Sequence, residues 1–273
     1  MASLPGADSR ARIDPADTAA GRRLTRRTGG CRCTLGSMSN RTASDFPAPS
    51  AGAPADAEGT YRRFVTDLFG VIAYGELSAF ERMSSDARLS PTLHDRATLG
   101  RLAVGEYRHF EQVAAHLTAL GVDPEAAMRP FQPSVDSFHD RTRPADWYES
   151  LMKFYVTDAI SDDFYQTIGA DLDPATSAVI TGLKGAEAGQ ILQARLRAAL
   201  ADDPRLASRL ALWGRRLVGE ALTQAQRVVI ERAVNGGLLQ EQDQEVYEAR
   251  IKTLTAQLTR NHSKRMNQLG LTA

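Results

Sequence analysis

The chain has 273 residues, with 33 Lys plus Arg balanced by 33 Asp plus Glu, and 42% of its residues are hydrophobic. That composition excludes a wholly disordered chain, and no apolar run approaches the roughly 18 residues a bilayer-spanning helix needs. The zero net charge is unevenly spread: residues 1–37 hold seven Arg against three Asp, so residues 38–273 carry a deficit of four.

Both cysteines, Cys31 and Cys33, fall in the basic stretch. A lone C-x-C without a nearby His is too little for a zinc site. The rest of the chain has no cysteine for a disulfide framework, which suits a reducing cytoplasm. The stretch also lacks the apolar segment of a secretory signal, and Met38 reads as an alternative start. Residues 1–57 are expected to be disordered, because the Ala, Pro, Ser and Asp between Ser39 and Ala57 cannot bury enough apolar surface to offset ordering entropy.

From Glu58 onward the hydrophobic periodicity is helical, without the alternation of a strand. Four helix starts are marked by a capping residue before Pro: Ser90-Pro91, Asp123-Pro124, Asp173-Pro174 and Asp203-Pro204. Pro suits the first helical position because the N–H it lacks would be unpaired there. With Gly as the stop signal, helices are expected at about 58–86, 91–120, 145–169, 174–201, 204–235 and 238–267. Residues 121–143 form the one long connection. Two antiparallel helix pairs joined by a long crossover match the connectivity of a ferritin-like bundle. The expected fold is therefore all-α: a four-helix bundle over 58–201 with two additional C-terminal helices, 202–273, packed on it.

Acidic residues fall where core residues belong. In the first helix the stripe Phe64, Leu68, Ile72 continues at i+4 to Glu76. In the second, Leu99, Leu102 and Ala103 lead to Glu106 and then His109, an E-x-x-H pair on one face. In the third, Trp147, Leu151 and Phe154 lead to Asp158, with Asp162 a turn later. In the fourth, Val179, Ile180 and Leu183 lead to Glu187, with Gln190 at i+3. Buried carboxylates are costly unless neutralised, paired or bound to metal.

The spacing from Glu76 to Glu106 is 30 residues and that from Asp158 to Glu187 is 29, as if the helix pairs were copies; from Asp162 it is 25. Di-iron carboxylate bundles place one acid on each of two helices and an E-x-x-H on each of the other two. Carboxylate and imidazole donors suit iron, and manganese fits the same set. The candidate metal ligands are Glu76, Glu106, His109, Asp158, Asp162, Glu187 and Gln190.

The segment GEYRHFEQVAAHLTALGV (Gly105 to Val122), with DAISDDFYQTIG and KGAEAGQIL further on, resembles bacterial tRNA methylthio-isopentenyl-adenosine hydroxylases and their actinobacterial ferritin-like relatives. The resemblance covers about 60–201. It implies a di-iron monooxygenase that hydroxylates the isopentenyl group of a modified tRNA adenosine with an external electron donor. By this resemblance Glu76 is the first-helix ligand, and Glu106 and His109 form the first E-x-x-H. Asp158 or Asp162 stands where the hydroxylases have Glu, and Gln190 where they have the second His. Gln is a weak neutral donor, so two irons are implied, or one where the Gln190 side does not bind. Ferritin ferroxidase centres resemble this donor set too, which keeps Fe(II) oxidation as an alternative. A metal-free interaction scaffold, its acids satisfied by Arg or Tyr, is another.

Between residues 195 and 232 eight Arg face four acids. Arg209, Arg215, Arg216 and Arg227 are candidates to meet RNA phosphates, although such a set also reads as a solvated helix face. Glu81 and Glu111 lie off the stripes, and His94, His116, His139 and His262 lack partners at ligand spacing; all are expected to be structural or solvated. The last helix is expected to pack on the bundle, with a homodimer left open.

Overall fold

The structure, a computed structural model, describes residues 55–169, 172–183, 186–235 and 244–272, all within one unit, Ser44–Ala273. The sequence expectations for Cys31, Cys33, Met38 and Gly236-Gly237 lie outside the described residues.

The first helix, α1, spans Ala55–Asp86, starting three residues earlier than the periodicity suggested. A 3-10 turn, Ala87–Leu89, leads to α2, Leu93–Ala119. Here the expected start at Ser90-Pro91 is corrected. Thr92 is the cap, and its hydroxyl accepts from the Asp95 N–H while donating to the Asp95 carboxylate. Thr with an acid three residues on satisfies the first-turn donors better than Ser90, whose hydroxyl is buried without a partner. α2 ends at Gly121, whose φ of 74° admits the left-handed turn in which the Val122 N–H returns to the Leu117 carbonyl.

The connection 121–143 is itself largely helical. It contains α3, Pro124–Met128, a 3-10 turn, Arg129–Phe131, and α4, Gln132–Arg141. Asp123 caps α3 through the Ala126 N–H. α3 lies hard against α1 at Gly70, where an added Cβ would come within 2.2 Å of the Ala127 carbonyl oxygen. α5 spans Trp147–Gly169 behind Asp146, which accepts from the Glu149 N–H.

The expected fourth helix is two. α6, Pro174–Gly182, is capped by Asp173 and ends with the Leu183 N–H on the Ile180 carbonyl; α7 begins again at Ala186 and runs to Leu200. α8, Pro204–Asn235, is capped by Asp203, and α9 spans Gln244–Gln268. Every element among the described residues is helical, and the protein is an all-α bundle.

Two apolar clusters form the core. One joins Val65, Phe69 and Ile72 of α1 to Val113 and Leu117 of α2 and Ile180 of α6. The other gathers Leu99 and Leu102 of α2, Leu151 to Val156 of α5, Leu192 and Leu196 of α7, Leu210 and Leu217 of α8, and Leu258 and Met266 of α9. The last two helices thus share the core with α5. Trp213 donates its indole N–H to the Glu149 carbonyl, and Arg265 forks onto both oxygens of Asp163 at 2.6 and 2.7 Å. Along α1 and α2 one cluster ends near Ala73 and Val113 and the other begins near Met83 and Ala103. The interval between them is a polar layer.

Candidate metal centre

That layer holds Glu76 and Glu106, both buried, with His109 one turn beyond Glu106. One donor atom from each of the three lies within 4.8 Å of the others. His109 Nδ1 is 3.4 Å from Glu76 Oε2 and 3.9 Å from Glu106 Oε2. The arrangement follows from two uninterrupted helices packed face to face. On α1 the buried stripe runs Leu68, Ile72, Glu76, and on α2 it runs Leu99, Leu102, Ala103, Glu106. The i+3 and i+4 spacing therefore carries each acid into the interface.

Desolvation pushes the carboxyl pKa of both glutamates up. For Glu106 the negative Glu76 adds to it, and the two groups are close enough to share a proton. Asp158 of α5 is raised to about 7, first by burial and then by Glu106 and Asp162. Tyr165 is held well above its usual range by burial and by Glu76. The strongest charges acting on the two glutamates are thus other carboxylates and His109, not arginines. Accumulated negative charge with so little cationic compensation is what a divalent cation would relieve. Two carboxylates and an imidazole, with Asp158 and Asp162 adjoining, form a hard, oxygen-rich set that fits iron or manganese.

Glu187 and Gln190 do not join this group. Glu187 is exposed and paired with Arg101 at 2.9 Å, and Gln190 is exposed as well. The expected stripe runs through Val179 and Leu183, but α6 ends at Gly182 and Glu187 lies on α7, which begins at Ala186. The buried face of α7 is instead set by Leu192 and Leu196. Glu187 is nine residues before Leu196, about 2.5 turns, which puts it on the opposite side. The second E-x-x-Q is therefore corrected to a surface pair.

Beside the acids lies a cavity of about 240 Å³. Glu76, Glu106 and Asp158 contribute to its lining, as do Phe154 and Phe164 of α5 and Phe138 of α4. The sequence reading missed two further lining residues, His139 of α4 and Gln224 of α8. The signal available for Gln224 was a polar residue on the same face as Leu217, one helical repeat later.

The arginines named for RNA have intramolecular partners. Arg209 pairs with Asp146 at 2.5 Å, Arg215 donates to the Thr272 carbonyl, and Arg216 donates to the Arg141 carbonyl and lies over the Trp213 ring. Arg227 is exposed. Among the histidines left as structural or solvated, His94 is exposed, His116 packs on Phe69 and His262 is buried. Glu81 and Glu111 are exposed. No described helix is long and apolar enough to cross a membrane.

No curated protein matches the chain. The family model described as the ferritin-like domain of actinomycetes matches residues 59–242, from α1 through α8. The chain belongs to this actinomycete ferritin-like family.

Proposed function

We propose that this protein is a non-haem di-iron monooxygenase, a hydroxylase acting with dioxygen on a small, largely apolar group. What supports this reading is the adjacency of Glu76, Glu106 and His109 to a mainly apolar cavity that Glu76 and Glu106 themselves line. Iron bound by these residues would supply the redox and Lewis-acid chemistry for dioxygen. Glu76, Glu106 and His109 would hold the first ion, and Asp158 and Asp162 would offer oxygen donors for a second. The aromatic and aliphatic walls would keep water away and fix the substrate. An external electron donor is required for repeated turnover.

The cavity favours this reading over a ferroxidase, which needs room only for ions and dioxygen. The narrower version, with the isopentenyl group of a modified tRNA as substrate, comes from the resemblance of the α2 segment and places the same apolar group in the cavity. A metal-free scaffold would leave the acids to burial, a proton shared between Glu76 and Glu106, and His109, because the charged groups acting on the two glutamates include no Arg.

The deciding experiment is an anaerobic Fe(II) titration of metal-free protein, followed by admission of oxygen. One or two irons per chain are expected, and binding should be lost in Glu106→Ala and His109→Ala. Less than about one iron per chain in the parent protein would reject the reading. Stoichiometric iron oxidation, with no oxygen uptake coupled to an added reductant, would replace it by ferroxidase activity.

A further inference from the structure

The cavity has a second polar wall, built by α4 and α8. Gln224 on α8 is 5% exposed and lines the cavity, yet neither its Oε1 nor its Nε2 has a hydrogen-bond partner. His139 on α4 lines the same cavity, and its buried Nδ1 is also unpartnered. Buried polar groups in folded proteins are nearly always hydrogen-bonded, and leaving one unpaired costs about 1–3 kcal/mol. Both amide atoms of Gln224 are therefore held ready at a structural cost. Beside them the lining is apolar, with Val135, Phe138, Ala221, Leu222 and Ala225, and Ser134, the other polar residue that α4 contributes, makes no hydrogen bond to either group.

The charge around the cavity limits what can fill this gap. Glu76, Glu106 and Asp158 on the other wall disfavour an anionic ligand. Burial, with Lys153 and Arg82 nearby, lowers the His139 pKa and keeps the imidazole neutral. Neither cation lines the cavity, so the polar wall itself is a neutral donor and acceptor pair flanked by mainly apolar side chains. Its complement is a group presenting one acceptor and one donor side by side on an apolar body.

We propose that Gln224, assisted by His139, is the recognition group of the cavity for a neutral ligand carrying a carboxamide or lactam edge on an aliphatic body. With its polar edge on α4 and α8, the aliphatic part would lie against Glu76, Glu106 and Asp158. That orientation rests on the proposed hydroxylase reading; the recognition itself does not. Gln224 is a specificity residue in this scheme and takes no part in the redox chemistry.

The test uses metal-free full-length protein, so that its outcome is independent of iron. Octanamide and nonan-2-one have the same shape, but the ketone has a methyl group in place of the amide NH2. Calorimetric titration should show octanamide binding about ten-fold tighter, the loss expected when a buried polar pair goes unmet. Gln224→Leu should bring the two affinities to within about two-fold while keeping nonan-2-one binding, and His139→Phe should narrow the gap. Gln224→Leu should also melt no lower than the parent, since it removes an unpaired amide.

Failure of both probes to bind, equal affinities in the parent protein, or a preference that survives Gln224→Leu would each overturn the proposal. Normal iron binding without amide preference rejects this inference alone. Amide preference without iron binding rejects the hydroxylase reading alone.

Discussion

His109 Nδ1 lies closer to Glu76, on the neighbouring helix α1, than to Glu106 on its own helix: 3.4 Å against 3.9 Å. The E-x-x-H pair is thus joined by Glu76 across the α1–α2 interface, and a metal held by the three would be positioned by how these two helices pack. Neither helix is interrupted between the core residues and the acids. Metal affinity should therefore respond to changes in α1 and α2 and be indifferent to changes in α7.

Glu187→Ala and Gln190→Ala should leave iron stoichiometry unchanged. Both side chains are exposed, and the Arg101–Glu187 pair is a surface ion pair. Its loss should cost about 0–1 kcal/mol. A fall in bound iron in either variant, read by metal analysis, would restore α7 to the site.

The contrast between α2 and α7 shows what was legible in the sequence. Glu76 and Glu106 could be read because an unbroken helix preserves the phase of its buried stripe over several turns. Glu187 could not, because it lies on α7, a separate element from the α6 stripe, and the buried face of α7 is set by Leu192 and Leu196. The capping pairs Asp123-Pro124, Asp173-Pro174 and Asp203-Pro204 were legible for a local reason: the carboxylate accepts from N–H groups two or three residues on. Gln224 and His139 were not legible as a pair. They lie 85 positions apart in the chain, and only the packing of α8 against α4 brings them to one cavity.

The pH dependence of metal-free protein should carry the signature of Glu106. Its pKa is raised by burial and by Glu76, so at pH values between the ordinary carboxylate range and the folded value the native state binds more protons than the unfolded state. Stability contributed by protonated Glu106 is then present at low pH and lost as pH rises through the folded pKa. Glu106→Gln removes that loss. Its melting temperature relative to the parent should rise steadily between pH 5 and about pH 9, and Fe(II) should abolish the difference in slope by stabilising the parent alone. A pH-independent difference would show that Glu106 is ionised throughout.

His262 should act in the opposite sense. Burial, with Arg265 nearby, lowers its pKa to about 4, and its Nε2 is buried without a partner. The unfolded chain takes up a proton near pH 6.5 that the folded chain refuses. Stability from the neutral ring is thus full above pH 6.5 and is lost as pH falls towards 4. His262→Leu should melt with less difference between pH 7 and pH 5 than the parent. An unchanged difference would mean that the ring is protonated, or solvated, in the folded state.

Beyond the apolar core that α9 shares with α5, a forked ion pair ties the two helices together. Arg265 holds both oxygens of Asp163, and Asn261 donates to the same carboxylate at 3.0 Å. Arg265→Ala should cost about 1.5–3 kcal/mol, the range for hydrogen bonds to charged groups. Arg265→Lys should recover only part of it, because a point charge cannot fork. Chemical denaturation of the three proteins measures this directly, and equal stability of the Lys and Arg forms would show that only charge matters.

Gly70 is the place where the crossover is pinned to the bundle. A Cβ there would come within 2.2 Å of the Ala127 carbonyl oxygen and about 3.0 Å of the Phe131 ring, and the first of these is backbone that cannot rotate away. Gly70→Ala must push α3 off α1, although Ala is the better helix former at an α1 position by about 1 kcal/mol. Overpacking of this kind typically costs about 1–3 kcal/mol, so the net effect should be destabilising despite the gain in propensity. Because α4 follows α3 after a single 3-10 turn and carries Phe138 and His139 into the cavity, the displacement should also weaken octanamide binding while leaving iron stoichiometry at Glu76, Glu106 and His109 intact. Calorimetric titration and metal analysis on the same preparation separate the two. Loss of iron together with ligand would mean that α3 supports the α1–α2 interface itself, and not only the wall of the cavity.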